Sequence, residues 1–161
     1  MPNVRGAQVI GLLDIIATVG PSTNVTKLAT KFGNDISILL PALEAAEMLG
    51  LLSRQNDEIA LTDFCVKFQT SPKPSTFKVQ LLKDQLTKIE PFKTTLELLG
   101  QKSKVKTTDV ANALGRMNVR WDLKRELNES IIHGLLINWG TFADLFSHDG
   151  KTEEFRKAKV N

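Results

Sequence analysis

The chain has 161 residues, 42% of them apolar and 24% charged, with a formal charge of +3. That length holds one substantial domain or two small ones sharing a core, and that apolar fraction excludes extended disorder. Its single cysteine excludes an internal disulfide, and no apolar run approaches the roughly 18–20 residues of a bilayer span. The first residues, Met1 to Gly6, lack the basic, apolar and small-residue order of a signal peptide. A cytoplasmic protein, not inserted in a membrane, is the expectation.

In chain order, Val9, Leu12, Leu13, Ile16 and Val19 fall on one face of a first helix, which Gly20-Pro21 stops. Ser22-Thr23-Asn24 offers caps for a second helix of two turns, Val25 to Phe32. A turn at Gly33-Asn34-Asp35 leads to a third helix, Ile36 to Leu49, closed by Gly50 in the left-handed C-cap position. Two helices joined by a short Gly-containing turn read as helix-turn-helix. Leu51 to Arg54 and Glu58 to Leu61 are strand-like runs about the polar turn Gln55-Asn56-Asp57. Helix, turn, helix and hairpin is the order of a winged helix. Thr62 would then cap a helix from Asp63 to Gln69.

Thr70-Ser71-Pro72-Lys73-Pro74-Ser75 is the linker, since its prolines deny helix donors and push their predecessors into extended backbone. Beyond it the sequence reads as helix throughout. Val79, Leu82, Leu86 and Ile89 make one stripe, interrupted at Glu90-Pro91. Thr94-Thr95-Leu96-Glu97 fits a capping box for a segment ending at Gly100. Thr107 or Thr108 caps a helix carrying Val110, Leu114 and Met117. Leu123, Leu127, Ile131, Leu135, Trp139, Phe142 and Phe146 form the longest stripe, about six helical turns. Gly134 and Gly140 lie inside it and permit close packing or a break.

The expected fold class is mainly α within α+β. Residues 1–70 form a winged-helix-like domain, 76–149 a helical domain packed on it, and 150–161 a polar tail. Charge divides with the halves. Residues 1–70 hold five Lys/Arg against seven Asp/Glu (−2), and residues 71–161 hold sixteen against eleven (+5). A modest positive excess of this kind suits a solvated face or an acidic partner.

Catalytic patterns are missing. Neither the phosphate loop GxxxxGK[ST] nor GxGxxG occurs, nor GxSxG, HExxH or CxxC. Adjacent carboxylates occur as Asp57-Glu58 and Glu153-Glu154, in polar segments that would not desolvate them. Cys65, between Phe64 and Val66, reads as a small core hydrophobe with no histidine beside it. His133 and His148 stand apart in sequence and read as helix-surface or packing residues rather than metal ligands. No catalytic residue, cofactor or metal is expected.

A winged helix suggests DNA, so the third helix carries the question. Base readout in the major groove uses Arg, Lys, Asn or Gln. From Asp35 to Leu49 the charged residues are Asp35, Glu44 and Glu47, which phosphates repel. Ile36, Ile38, Leu39, Leu40, Leu43, Met48 and Leu49 crowd the same helix, which must be buried or covered by a partner. The better nucleic-acid or acidic-partner surface is Arg116, Arg120, Lys124 and Arg125, with Trp121 interleaved, if one helix runs through them. A charged outer helix face explains the same residues.

Three stretches together resemble the AAA-associated C-terminal domain. They are Pro2-Asn3-Val4 with Val9 to Ile16, then Leu39 to Leu51 continuing into Ile59-Ala60-Leu61-Thr62, and Ile137 to Phe146 with Asp149 beyond. The likeness covers about residues 2–149. The chain departs from the family where it has Thr141 and Phe142 in place of Arg and Tyr. It also lacks the glycine that the family has near Cys65. That module follows the ATPase domain in ABC transporter subunits of the nitrate, sulfonate and taurine type. The resemblance implies no catalytic residue, because the family's catalytic motifs belong to the ATPase domain.

The expected function is a non-catalytic regulatory or interaction module with a protein partner or as a homodimer, associated with an ABC transporter. The competing reading is a winged-helix DNA-binding transcriptional regulator, and a small-molecule sensor is a third. Nucleic acid is disfavoured as a partner.

Overall fold

The computed structural model describes residues 2, 4–20, 22–31, 36–70, 75–117 and 125–158, with side chains set aside at 36, 38, 75–78 and 125–127. Those residues are mainly helical with two small antiparallel sheets, the α+β class expected. Two compact units, Met1–Leu81 and Leu82–Asn161, divide the chain.

The first unit runs α1 (Gly6–Val19), β1 (Ser22–Asn24), α2 (Val25–Lys31), α3 (Ile36–Met48), β2 (Leu52–Gln55), β3 (Glu58–Leu61) and α4 (Asp63–Thr70). α1 buries Val9, Leu12, Leu13 and Ile16 and packs on α3, which itself buries Leu39, Leu43 and Ala46. Val19, placed on the same stripe by its spacing, lies at the solvent edge. Asn24 caps α2, its Oδ1 accepting the Lys27 amide at 2.8 Å.

Gly50 closes α3 at φ 68°, with its own N–H bonded to Glu47 O and that of Leu51 to Ala46 O, both at 2.9 Å. These paired bonds make a Schellman motif, which satisfies two carbonyls the helix end leaves over. Thr62 ties the pieces together. Its hydroxyl donates to Gly50 O at 2.6 Å and accepts the Cys65 amide at 3.2 Å, capping α4. The sheet order is β1-β3-β2, with Thr23 and Arg54 flanking Ile59. Asn56 turns the hairpin at φ 56°, a conformation asparagine tolerates.

α5 (Ser75–Leu86) holds the division between the units, which falls at Leu81, past the proline linker. The second unit continues with α6 (Phe92–Gln101), β4 (Val105–Lys106), α7 (Thr107–Arg116) and α8 (Arg125–Leu135). A π-helix (Leu136–Thr141), β5 (Phe146–Asp149) and β6 (Glu154–Lys157) complete it. α6 starts ahead of the expected capping box. Glu90 Oε2 accepts the Thr94 amide and hydroxyl at 3.1 and 2.7 Å, so Thr94 and Thr95 lie inside the helix and are buried. At α7 the cap is Lys106, whose N–H donates to Asp109 Oδ2 at 2.9 Å. Val110 and Leu114 are buried there, and Met117 is exposed.

Two larger expectations also fail in this unit. The six-turn helix through Phe146 is instead α8 followed by a π-helix, a turn and a strand. Widening each turn to i→i+5 bonds rotates the following residues, so Trp139, Ala143 and Phe146 are buried while Phe142 is 40% exposed. The other failure is the polar tail at 150–161. Residues Glu154–Lys157 form the central strand of a β4-β6-β5 sheet, because Phe155 among charged neighbours faces inward and is fully buried. Among the described residues no helix is long and apolar enough to cross a membrane.

Candidate functional site

α3 is the helix that the winged-helix expectation assigns to base reading. Leu39, Ala42, Leu43, Ala45 and Ala46 turn inward, so most of its apolar surface is core. Outward stand Ser37, Glu44, Leu40 at 37% exposure and Met48 at 47%. The arginine of the adjoining hairpin does not supply a positive charge to this face. Arg54 Nε and Nη2 both reach Glu47 Oε2, at 2.8 and 2.7 Å. A face of the Glu44 carboxylate, an arginine paired with Glu47 and two apolar side chains repels a phosphate backbone rather than attracting it.

The basic residues predicted as a surface are not all described. Arg116 is exposed in the last turn of α7, which ends there with Met117 as C-cap. Arg120, Trp121 and Lys124 lie outside the described residues, and for Arg125 only the backbone, at the start of α8, is described.

What the sequence reading missed is a recess of about 250 Å³ in the second unit. Lys106, Thr107 and Thr108 come to it from the β4–α7 junction, Glu129, Ser130 and His133 from α8, and Glu153 from the β5–β6 turn. Thr107 Oγ1 and His133 Nδ1 share a hydrogen bond of 3.0 Å, which fixes the imidazole. His148 of β5 meets that ring edge to face, with centroids 5.3 Å apart and planes at 75°. Both lean on Phe155, at 6.0 and 4.8 Å. Fifteen residues apart in sequence, the histidines are neighbours in space because the chain turns back after the π-helix and β5 brings its ring to that of α8. No local pattern signals such a pairing. It needs the strand that was read as helix.

Electrostatics at the recess follow from burial and nearby donors. Burial first, then the neighbouring His133, holds His148 below the usual imidazole range, against smaller opposing pulls from Glu153 and Asp149. Asp109 is held low chiefly by the Lys106 N–H, and Asp149 chiefly by the Lys151 N–H. Among the described residues no three His, Cys, Asp or Glu side chains gather closely enough to hold a metal ion. The histidine pair is therefore short of the three or four ligands a protein zinc centre uses.

Cys65 is a core residue, as its sequence setting predicts. It is fully buried, and burial with help from Asp14 pushes its thiol up to about 11. At pH 8 such a thiol is ionised in roughly one molecule per thousand, before steric protection is counted. Iodoacetamide should leave the native protein unmodified over hours and alkylate it fully in urea. Alkylation of the native protein at the rate of a free thiol would overturn the core assignment.

No curated protein and no solved structure matches the chain at a significant level. A family model does: residues 26–149 match the C-terminal AAA-associated domain. The match starts in α2, takes in α3, the β2–β3 hairpin and every residue lining the recess except Glu153, and ends at the last residue of β5. It spans well over half of the sequence, and the chain belongs to the C-terminal AAA-associated domain family.

Proposed function

We propose that this chain is a non-catalytic regulatory and interaction module that works with an ATPase subunit of an ABC transporter, on the cytoplasmic side. The family match over residues 26–149 carries the reading, since the family takes its description from association with ATPases. The sequence supports it by holding no phosphate-binding glycine loop of its own. The element order helix, strand, helix, helix, hairpin supports a winged-helix reading of the first unit. In that reading α3 serves protein contact rather than base readout. Arg116, Arg120, Lys124 and Arg125 are the residues proposed to meet an acidic partner or, weakly and without sequence preference, nucleic acid.

Two measurements test this. Titration with Mg-ATP should release no heat beyond dilution. Mixing with the ATPase subunit of a nitrate-, sulfonate- or taurine-type transporter from the same genome should give a complex on size exclusion. It should also change the hydrolysis rate by about fivefold or more, the lower end of ordinary allosteric coupling. The DNA-binding regulator makes the opposite forecast: selection from random duplexes yields a palindromic consensus bound at about 10⁻⁸ M or tighter. Such a consensus, with binding lost through changes at residues 36–44 and no complex with the ATPase, would overturn the proposal.

A further inference from the structure

The contact between His133 and His148 is more than packing. Two imidazoles meet at 5.3 Å with Phe155 behind both, and Phe155 in turn meets Phe146 edge to face at 5.3 Å. His148 Nε2 lies buried with no hydrogen-bond partner among the described residues. A neutral ring leaves a lone pair there at modest cost. A protonated ring would bury an N–H⁺ with nothing to accept it, beside a second imidazole and against aromatic carbon.

We propose that the His133–His148 pair is an acid-operated latch: neutral, it holds β5 to α8, and a proton on His148 releases β5 and β6 from that helix.

The surrounding charges leave that balance in place. Arg156 Nη2 bonds Asp149 at 3.0 Å and Glu154 at 3.3 Å, and Lys104 bonds Glu154 at 2.9 Å, so both carboxylates of the sheet are already paired with cations. Asp109 of α7 is taken by the Lys106 N–H and by Lys102. Lys106, on the recess, disfavours a further positive charge, whereas Glu129 and Glu153 on the same recess favour one. The π-helix packed on β5 carries no titratable side chain (Leu136–Thr141), and Lys93 and Glu97 of α6, packed on β6, are exposed. Burial and His133 outweigh the acidic pulls, and His148 sits below its ordinary value.

The sign of the pH effect follows. A released His148 titrates near 6.5, and the latched one only at lower pH. The open form therefore binds more protons in the window below about 6.5. The latch is at full strength above that pH and weakens as pH falls through the window.

The test is amide hydrogen exchange of the full chain, corrected for its intrinsic pH dependence, with NMR titration of the two ring Cε1–H signals. Protection of the His148 and Phe155 amides should fall about threefold or more between about pH 7.5 and about pH 5. α1 and α3 should not change. In His148→Phe, which keeps a ring against Phe155 without a titrating nitrogen, the fall should shrink to less than about twofold. Should that variant not fold, His133→Phe removes one of the two causes and should raise the His148 midpoint. An equal fall in His148→Phe, or a wild-type His148 midpoint at or above about 6.5, would overturn the latch.

Discussion

Replacing Trp139 with alanine is expected to destabilise the protein by about 3–5 kcal/mol, the usual cost of emptying a fully buried aromatic site. Trp139 is 1% exposed, in the middle of the π-helix, with Leu135, Leu136, Ala143 and Phe146 also buried around this part of the chain. The space cannot collapse cheaply, because the ring of Phe146 already rests directly on the backbone of Gly140. The indole Nε1 is buried without a hydrogen-bond partner among the described residues, so Trp139 contributes through volume and apolar contact. Trp139→Phe should accordingly cost well under half as much, since it gives up an unsatisfied donor along with some packing. Urea unfolding followed by far-UV circular dichroism measures both. A loss below about 1 kcal/mol for alanine would mean the tryptophan is not a core anchor. An interface role would then be indicated, tested by iodide quenching in a Trp121→Phe background.

Trp139 also shows how far the sequence could be read. Its burial was legible, because Leu135 and Trp139 stand four apart and large apolar residues at helical spacing face a core. Phe142 and Phe146 were misassigned from the same stripe. The spacing treats 3.6 residues per turn as constant, and the π-helix breaks that assumption. Gly140 was the one local hint: read as permitting close packing or a break, it lies within the π-helix and also under the Phe146 ring. The first unit was more legible because each boundary carries its own chemistry, with Asn24 and Thr62 as caps and Gly50 and Asn56 in left-handed turns. The argument against base readout from α3 was legible as well, since it needed only the absence of Lys and Arg. The pairing of Glu47 with Arg54 strengthens it.

The recess was not legible for a different reason. Its residues come from the start of α7, the middle of α8 and the β5–β6 turn, and each piece looks ordinary alone. Glu153-Glu154 read as a solvated pair, yet the two residues diverge. Glu153 turns the hairpin at φ 53° on the rim of the recess, and Glu154 enters the strand to meet Lys104 and Arg156. Alternating exposure along a four-residue strand spaces its apolar residues too sparsely to stand out amid charges.

That strand gives the second large effect. Phe155→Ala is expected to cost about 3–5 kcal/mol, although the surrounding sequence, Thr152 to Lys159, is mostly polar. Phe155 is fully buried, opposite Val105 on one side and His148 on the other, and its ring meets Phe146. Lys157→Ala, one pleat along on the same strand and exposed, should change stability by no more than about 0.5 kcal/mol. Deleting residues 150–161 goes further. It removes the strand between β4 and β5, leaving both without a ladder partner, and strips the cover from Phe146 and the histidine pair. An isolated strand of two residues and one of four cannot hold a sheet. The truncated chain should therefore lose cooperative unfolding of its second unit in urea while the first unit's transition persists. Near-ultraviolet circular dichroism, which reports fixed aromatic packing, should lose the signal of Trp139. A truncated protein that unfolds at the midpoint of the full chain, with its aromatic signal intact, would return residues 150–161 to the status of a dispensable tail.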